Sequence, residues 1–257
     1  MSFEFVSDFE IRVSYFSTSN IPNTMTSKGK TIPSEKTGCL RCGTCCQKGG
    51  PTLHREDQNL VESGVLPIKL LYTIRTGEII RNPIRETTLY ADSDIIKLRG
   101  SGRDWRCVLY DSDESRCRKY DGRPAECRAM ECWDTREIEA MYAHDRLTRQ
   151  DLLGAVAGLW EFIIDHENTC DYRKLRYLKS EIQGGRNGDA ADQIMEMIRY
   201  DAAARELSVE KAGTDPEHLD FLFGRPISVT IAGFGLQLKK EGDKTTVMLG
   251  AVQGPII

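Results

Sequence analysis

The sequence predicts an α+β fold: a cysteine-rich, metal-stapled module, then a helical region that ends in a β-hairpin. Three observations predict it. Eight of the nine cysteines lie between Cys39 and Cys132, four of them in the run Cys39-Leu-Arg-Cys42-Gly-Thr-Cys45-Cys46. Residues 135–224 carry apolar side chains at three-to-four spacing. The stretch after them alternates in strand fashion. The organisation expected is a flexible leader over 1–37, a cysteine-cluster metal-binding domain over 38–134, and the helical region with its hairpin over 135–257. A chain of 257 residues, 40% hydrophobic and 29% charged, is long enough for one domain or for a small metal-held domain joined to a larger one.

The elements follow in order. The leader is rich in Ser, Thr, Asn and Lys after Phe16. Behind the cysteine knuckle and Gly49-Gly50-Pro51, Arg55 to Ser63 reads as a short helix stopped by Gly64. Pro67 opens a second, with Ile68, Leu71 and Ile74 along one side and Gly77 at its end. Ile95 to Leu98 and Cys107 to Tyr110 read as strands, the latter turned around by Asp111 to Glu114. Thr148-Arg-Gln-Asp151 resembles a capping box, and the helix it opens carries the stripe Leu152, Val156, Leu159 and Ile163. Asp171 to Ile182 and Asp189 to Leu207 are further helices. Ile227, Val229 and Ile231, alternating with Ser228, Thr230 and Ala232, form a hairpin with Thr245 to Leu249 around Glu241-Gly242-Asp243.

Composition narrows the function. A net charge of −4 gives no basic excess for a nucleic-acid partner. Mean hydropathy is −0.43, and no apolar run approaches the roughly 20 residues of a membrane span. The first residues lack the basic start of an export signal, so a cytoplasmic location is expected, where thiols stay reduced. Nine cysteines there point to metal rather than disulfides, with Cys170 the exception, a lone buried thiol. A protein partner is left open.

The candidate ligands are Cys39, Cys42, Cys45, Cys46, Cys107, Cys117, Cys127 and Cys132. Thiols two residues apart curl into a knuckle that aims several sulfurs at one place. Side chains of consecutive residues tend to diverge, so Cys45 and Cys46 read either as one ligand and a spare or as ligands of two sites. Two sites would divide the eight thiols, Cys39, Cys42 and Cys45 taking one distant cysteine and Cys46 taking three. One site with the other thiols merely buried is the alternative. In Arg123-Pro124-Ala-Glu-Cys127-Arg128, Pro124 opens a helix whose first turn favours a Cys127 thiolate. If that helix ran on to Cys132, the two sulfurs would face about 140° apart, so it ends early or the two serve different sites. Arg123 and Arg128 read as structural supports of an anionic thiolate centre. Cys-x2-Cys-x2-Cys with a distant fourth cysteine favours an iron–sulfur cluster, [4Fe–4S] by type, over Zn2+. The four histidines are dispersed, and only His54 lies near the knuckle.

The knuckle, followed by Cys107-Val-Leu-Tyr, Cys117-Arg-Lys-Tyr, Arg123-Pro-x2-Cys127-Arg and Cys132, resembles the YkgJ-type CxxCxxCC family of zinc- or iron-chelating domains over residues 38–134. The family includes flagellin lysine N-methylases, for which an iron–sulfur cluster is implied. Three functions are therefore expected in order: an iron–sulfur protein with a redox, maturation or metal-handling role, a zinc-held structural or interaction module, and a protein lysine N-methylase-like enzyme.

Overall fold

The computed structural model describes residues 39, 41–82, 85–102, 104–242 and 244–250. The expected leader lies outside them. Beyond the knuckle, a turn at Arg55–Asp57 leads into α1 (Gln58–Glu62), and Gly64 stops it in the left-handed region as expected.

The expected helix after Pro67 is a correction. Only a single turn forms, Ile68–Leu70, and the chain then extends as β1 (Leu71–Ile74). All four β1 residues are buried. A strand buried on both faces shows no alternation, and Ile68, Leu71 and Ile74 imitate a helical stripe. After β1, β2 (Ile79–Asn82) and β3 (Thr87–Tyr90) form a hairpin. The expected strand β4 (Ile95–Leu98) pairs antiparallel with β1, Leu71 opposite Leu98 and Ile74 opposite Ile95.

Two minimal hairpins follow: β5 (Gly100–Ser101) with β6 (Arg106–Cys107), and β7 (Tyr110–Asp111) with β8 (Arg116–Cys117). The expected strand over Cys107 to Tyr110 is thus split by a turn at Val108 and Leu109. Asp111 closes the expected turn, its Oδ1 accepting from the N–H groups of Asp113 and Glu114 (3.1 and 3.3 Å).

The helices then dominate: α2 (Ala125–Ala129), α3 (Arg136–Met141), α4 (Arg149–Leu153), α5 (Leu159–Thr169), α6 (Tyr172–Gln183), α7 (Asn187–Ala212), α8 (Leu219–Leu222) and α9 (Ile227–Thr230). The capping box forms: Thr148 Oγ1 accepts from Asp151 N (3.3 Å) and Asp151 Oδ2 accepts from Thr148 N (2.9 Å). The helix it opens is shorter than expected. It breaks after Leu153, so Val156 is exposed while Ile163, on α5, is fully buried.

Ile227, Val229 and Ile231 are not a hairpin strand. Ile227 and Ile231 bury four residues apart on one face of α9 and the turn after it, and Val229 faces solvent. Gly235, with φ 70°, then releases the chain into β9 (Leu236–Glu241), which pairs with β10 (Lys244–Leu249). The hairpin exists, one segment later than expected.

One hydrophobic core crosses residue 135. Leu53, Leu71, Ile96, Leu98 and Cys107 pack with Leu147, Leu153, Ile163, Phe221, Leu222 and Phe223. A second joins α6 and α7 to the hairpin through Leu175, Leu178, Ile194, Phe234, Leu236 and Val247. Buried ions tie the halves together. Arg75 donates to Glu167 Oε1 (2.6 Å) and Cys170 O (2.8 Å), and Arg149 donates to the same Glu167 oxygen (2.9 Å) and to both Asp94 oxygens (2.7 and 3.0 Å). Burial alone would raise the Glu167 carboxyl, but the two guanidiniums hold it below the usual range.

Candidate metal centre

Four segments carry the cysteines from Cys39 to Cys127, and the sequence seats each one. The knuckle closes on itself: Gln47 N donates to Gly43 O (2.9 Å) and Lys48 N to Cys45 O (3.1 Å). Gly43 sits at φ 75°, and a Cβ there would come within 2.3 Å of the Tyr110 hydroxyl, so the backbone lies directly on that ring. Gly50 does the same against β4, where a Cβ would stand 2.2 Å from Leu98 O. Tyr110 in turn is the cross-strand partner of Cys117, and the turn Cys46–Lys48 packs against β6, which bears Cys107. The knuckle is thereby laid over the two minimal hairpins.

The fourth segment is α2. It begins one residue after Pro124, and Cys127 falls in its first turn. Asp57, fully buried, accepts from Ala125 N at the helix start (2.8 Å) and from His54 N (3.0 Å). Glu126 reaches back to Thr52 N (2.7 Å) and His54 Nε2 (3.5 Å), while His54 Nδ1 bonds His144 O (2.8 Å). Both ring nitrogens of His54 are engaged, so this histidine is a structural brace. Burial would pull its imidazole down, but Glu126 outweighs that and leaves the pKa above the ordinary histidine value. The helix ends at Ala129, before Cys132.

The thiols sense one another. Cys107 is pushed up first by burial and then by Cys117 and Cys45; Cys127, expected to be favoured as a thiolate by the helix start, is instead pushed up by burial, Cys107, Cys45 and Cys117. Cys45 and Cys46 do not diverge as expected: their sulfurs stand 3.9 Å apart. A hydrogen bond from Cys46 holds the Cys45 thiol down to about 6, and the same shared proton, with burial, pushes Cys46 up. Cys42 is lowered by its contact with Thr44 Oγ1 (3.3 Å). Cys42, Cys45, Cys46, Cys107, Cys117 and Cys127 are thus electrostatically linked. Cys39, exposed, takes a hydrogen bond from Arg41 N (3.4 Å), and Cys132 is exposed in the turn joining Glu131 to Asp134. Cys170 is buried elsewhere, against Met197 O (3.6 Å), and burial raises its thiol to about 12.

The linked thiols lie within electrostatic reach of one another, but among the described residues no three His, Cys, Asp or Glu side chains are arranged so that they could already hold a metal ion. Their chemistry fits a soft cation, because thiols that oppose one another's ionisation release their protons when a positive charge enters. A buried donor fits too. Arg123 Nε is buried with no acceptor among the described residues, and the Arg123 charge lowers Cys45. Arg128, expected beside the thiolates, instead binds the Arg123 carbonyl and Glu56 (2.5 and 2.7 Å). Lys97, held below the ordinary lysine range by burial, stands near Glu126, Cys127 and Cys107.

Sequence reasoning missed Asp57, Glu126, Lys97 and the two tyrosines. Tyr110 and Tyr120 carried a signal, since each follows a cysteine by three residues in Cys107-Val-Leu-Tyr and Cys117-Arg-Lys-Tyr. Asp57 carried little, because its partner is 68 residues away.

No curated protein and no solved structure matches the chain. Residues 38–146, from the knuckle to just beyond α3, are similar to a family model, CxxCxxCC, described as a "putative zinc- or iron-chelating domain".

Proposed function

We propose that the chain is a metalloprotein of a reducing compartment whose centre is a [4Fe–4S] cluster with a redox, maturation or metal-handling role. What supports this reading is a Cys-x2-Cys-x2-Cys knuckle whose turn Cys46–Lys48 packs on the strand that bears Cys107, with Cys117 and Cys127 within electrostatic reach of it. The ligands are drawn from Cys39, Cys42, Cys45, Cys46, Cys107, Cys117, Cys127 and Cys132. The linked set favours those between Cys42 and Cys127. The cluster supplies one-electron chemistry; the chain supplies thiolates, cations and a partly dry wall of Leu53, Leu98 and Leu109. Among the described residues no helix is long and apolar enough to cross a membrane.

One observation favours a second reading, a single Zn2+ in four thiolates. Zinc–sulfur bonds of about 2.3 Å in a tetrahedron put the sulfurs about 3.8 Å apart, close to the 3.9 Å between Cys45 and Cys46. Anaerobic purification followed by iron, zinc and acid-labile sulfide analysis separates the two. A brown protein with iron and sulfide, bleached by dithionite with a paramagnetic signal, supports the first. Stoichiometric zinc without iron, after iron and sulfide have been supplied, rules it out in favour of the second.

A further inference from the structure

Tyr120 joins the cysteine-bearing segments. The guanidinium carbons of Arg41 and Arg123 each lie 3.9 Å from the centre of its ring. Two guanidiniums cannot share one face at that distance, so they cover opposite faces. Arg41 lies between Cys39 and Cys42 and donates its N–H to Cys39 Sγ (3.4 Å). Tyr120 follows Cys117 by three residues. Arg123 begins the segment that carries α2, and its Nη1 donates to Cys127 O (3.4 Å). The knuckle, the β8 segment and α2 therefore meet at one aromatic ring.

The charge at this stack is unbalanced. Arg116 pairs with Glu114, Arg118 with Asp111 (3.9 Å) and Arg128 with Glu56 (2.7 Å). Neither Arg41 nor Arg123 has a carboxylate partner among the described residues, and Arg123 Nε lacks any acceptor. Holding two cations against one ring is worthwhile when an anion lies beside them. A divalent ion in four thiolates and an oxidised [4Fe–4S] centre with four cysteines both carry a net charge of about −2. Two guanidiniums offset that charge in either case.

Resting on the metal-centre reading above, we infer that the Arg41–Tyr120–Arg123 stack is a positioning clamp: it holds the knuckle over the later cysteines and balances the charge of the metal–thiolate centre. Arg41 and Arg123 touch no metal. They act through the cysteines.

The test uses the full chain, loaded in parallel with zinc alone and with iron plus sulfide. Metal affinity is read by competition with a chromophoric chelator at low and high salt. Tyr120→Phe keeps the stacking surface and retains wild-type affinity. Tyr120→Leu weakens binding by about tenfold or more, the range typical of groups that support metal ligands. Arg41→Met and Arg123→Met each weaken it, Arg41→Lys restores most of the loss, and the double Met variant loses much of the salt dependence. Arg41 is exposed, so its variants report on charge even if Tyr120→Leu fails to fold. Wild-type affinity and salt dependence in the Met variants overturn the clamp while leaving the metal centre standing. A wild-type chain that takes up neither metal overturns the metal centre and the clamp together.

Discussion

The cysteine segment and the helical region are held together by opposite means. Around the knuckle the elements are two residues long, the thiols repel one another as they ionise, and cations wait without carboxylates. In and against the helical region the buried charges are paired: Glu167 with Arg75 and Arg149, Asp201 with His166 and Arg205 (2.8 and 3.0 Å), Glu78 with Arg225. On the metal-centre reading proposed above, the first region is complete only with a cation it does not encode. Buried charge alone therefore does not mark a site.

The comparison breaks most sharply at the thiols. Cys45→Ser or Cys127→Ser is expected to lose bound metal nearly completely, whereas Cys170→Ser keeps it, as metal analysis of the purified variants will read. Equal loss in all three would erase the distinction between the regions. Next in size is Glu167→Ala, which leaves Arg75 and Arg149 buried with too little counter-charge. It should cost about 3 kcal/mol in urea unfolding while metal content per folded chain stays unchanged. A loss under 1 kcal/mol would mean water already satisfies those guanidiniums.

Gly43→Ala sharpens the contrast from the other side. The added Cβ meets the Tyr110 ring at φ 75°, so the knuckle must shift. About 1–3 kcal/mol of stability and a larger share of metal affinity should go, with α6 and α7 unaffected by amide exchange. Stripping the metal should likewise expose amides of the knuckle and of residues 100–132 while β1, β4, α6 and α7 stay protected, because β1 and β4 share a core with Phe221 and Phe223. Loss of protection throughout β1 and β4 would make the metal the keystone of the whole segment.

The smallest effect is a pair of imidazoles moving in opposite directions. His166 is pulled below the ordinary value by burial despite Asp201; His54 is raised by Glu126 despite burial. His54 then contributes stability that is full below its unfolded pKa of about 6.5 and is lost as pH rises through the folded value. His166 contributes stability that is full above about pH 6.5 and is lost as pH falls through its folded value. Proton NMR titration should resolve the two on either side of 6.5; the reverse order would invert the electrostatics described for both regions.

What the sequence displayed, and what it hid, follows from distance along the chain. The capping box at Thr148, the turn at Asp111, the end of α1 at Gly64 and strand β4 are local matters, and each is legible within a few residues. β1 was hidden because burial on both faces removes the alternation that marks a strand. Ile227 to Ile231 misled because β-branched alternation outweighed the four-residue spacing that buries Ile227 with Ile231. At the centre, the cysteines and Arg123 were visible as a motif. Asp57, Glu126 and Lys97 were not, since capping α2 from 68 residues away leaves no periodic trace.

The shared core also fixes how portable the cysteine domain is. The family segment stops at residue 146, and Leu147, the next residue, is fully buried against Leu53 and its neighbours. Cut there, the segment carries all eight clustered cysteines but nine of the fifteen buried residues of the core behind them. Leu71, Ile96 and Leu98 would meet water where Ile163, Phe221 and Phe223 now cover them. In this chain the cysteine segment is thus a unit of chemistry whose apolar wall is covered by a lid made of α4, α5 and α8.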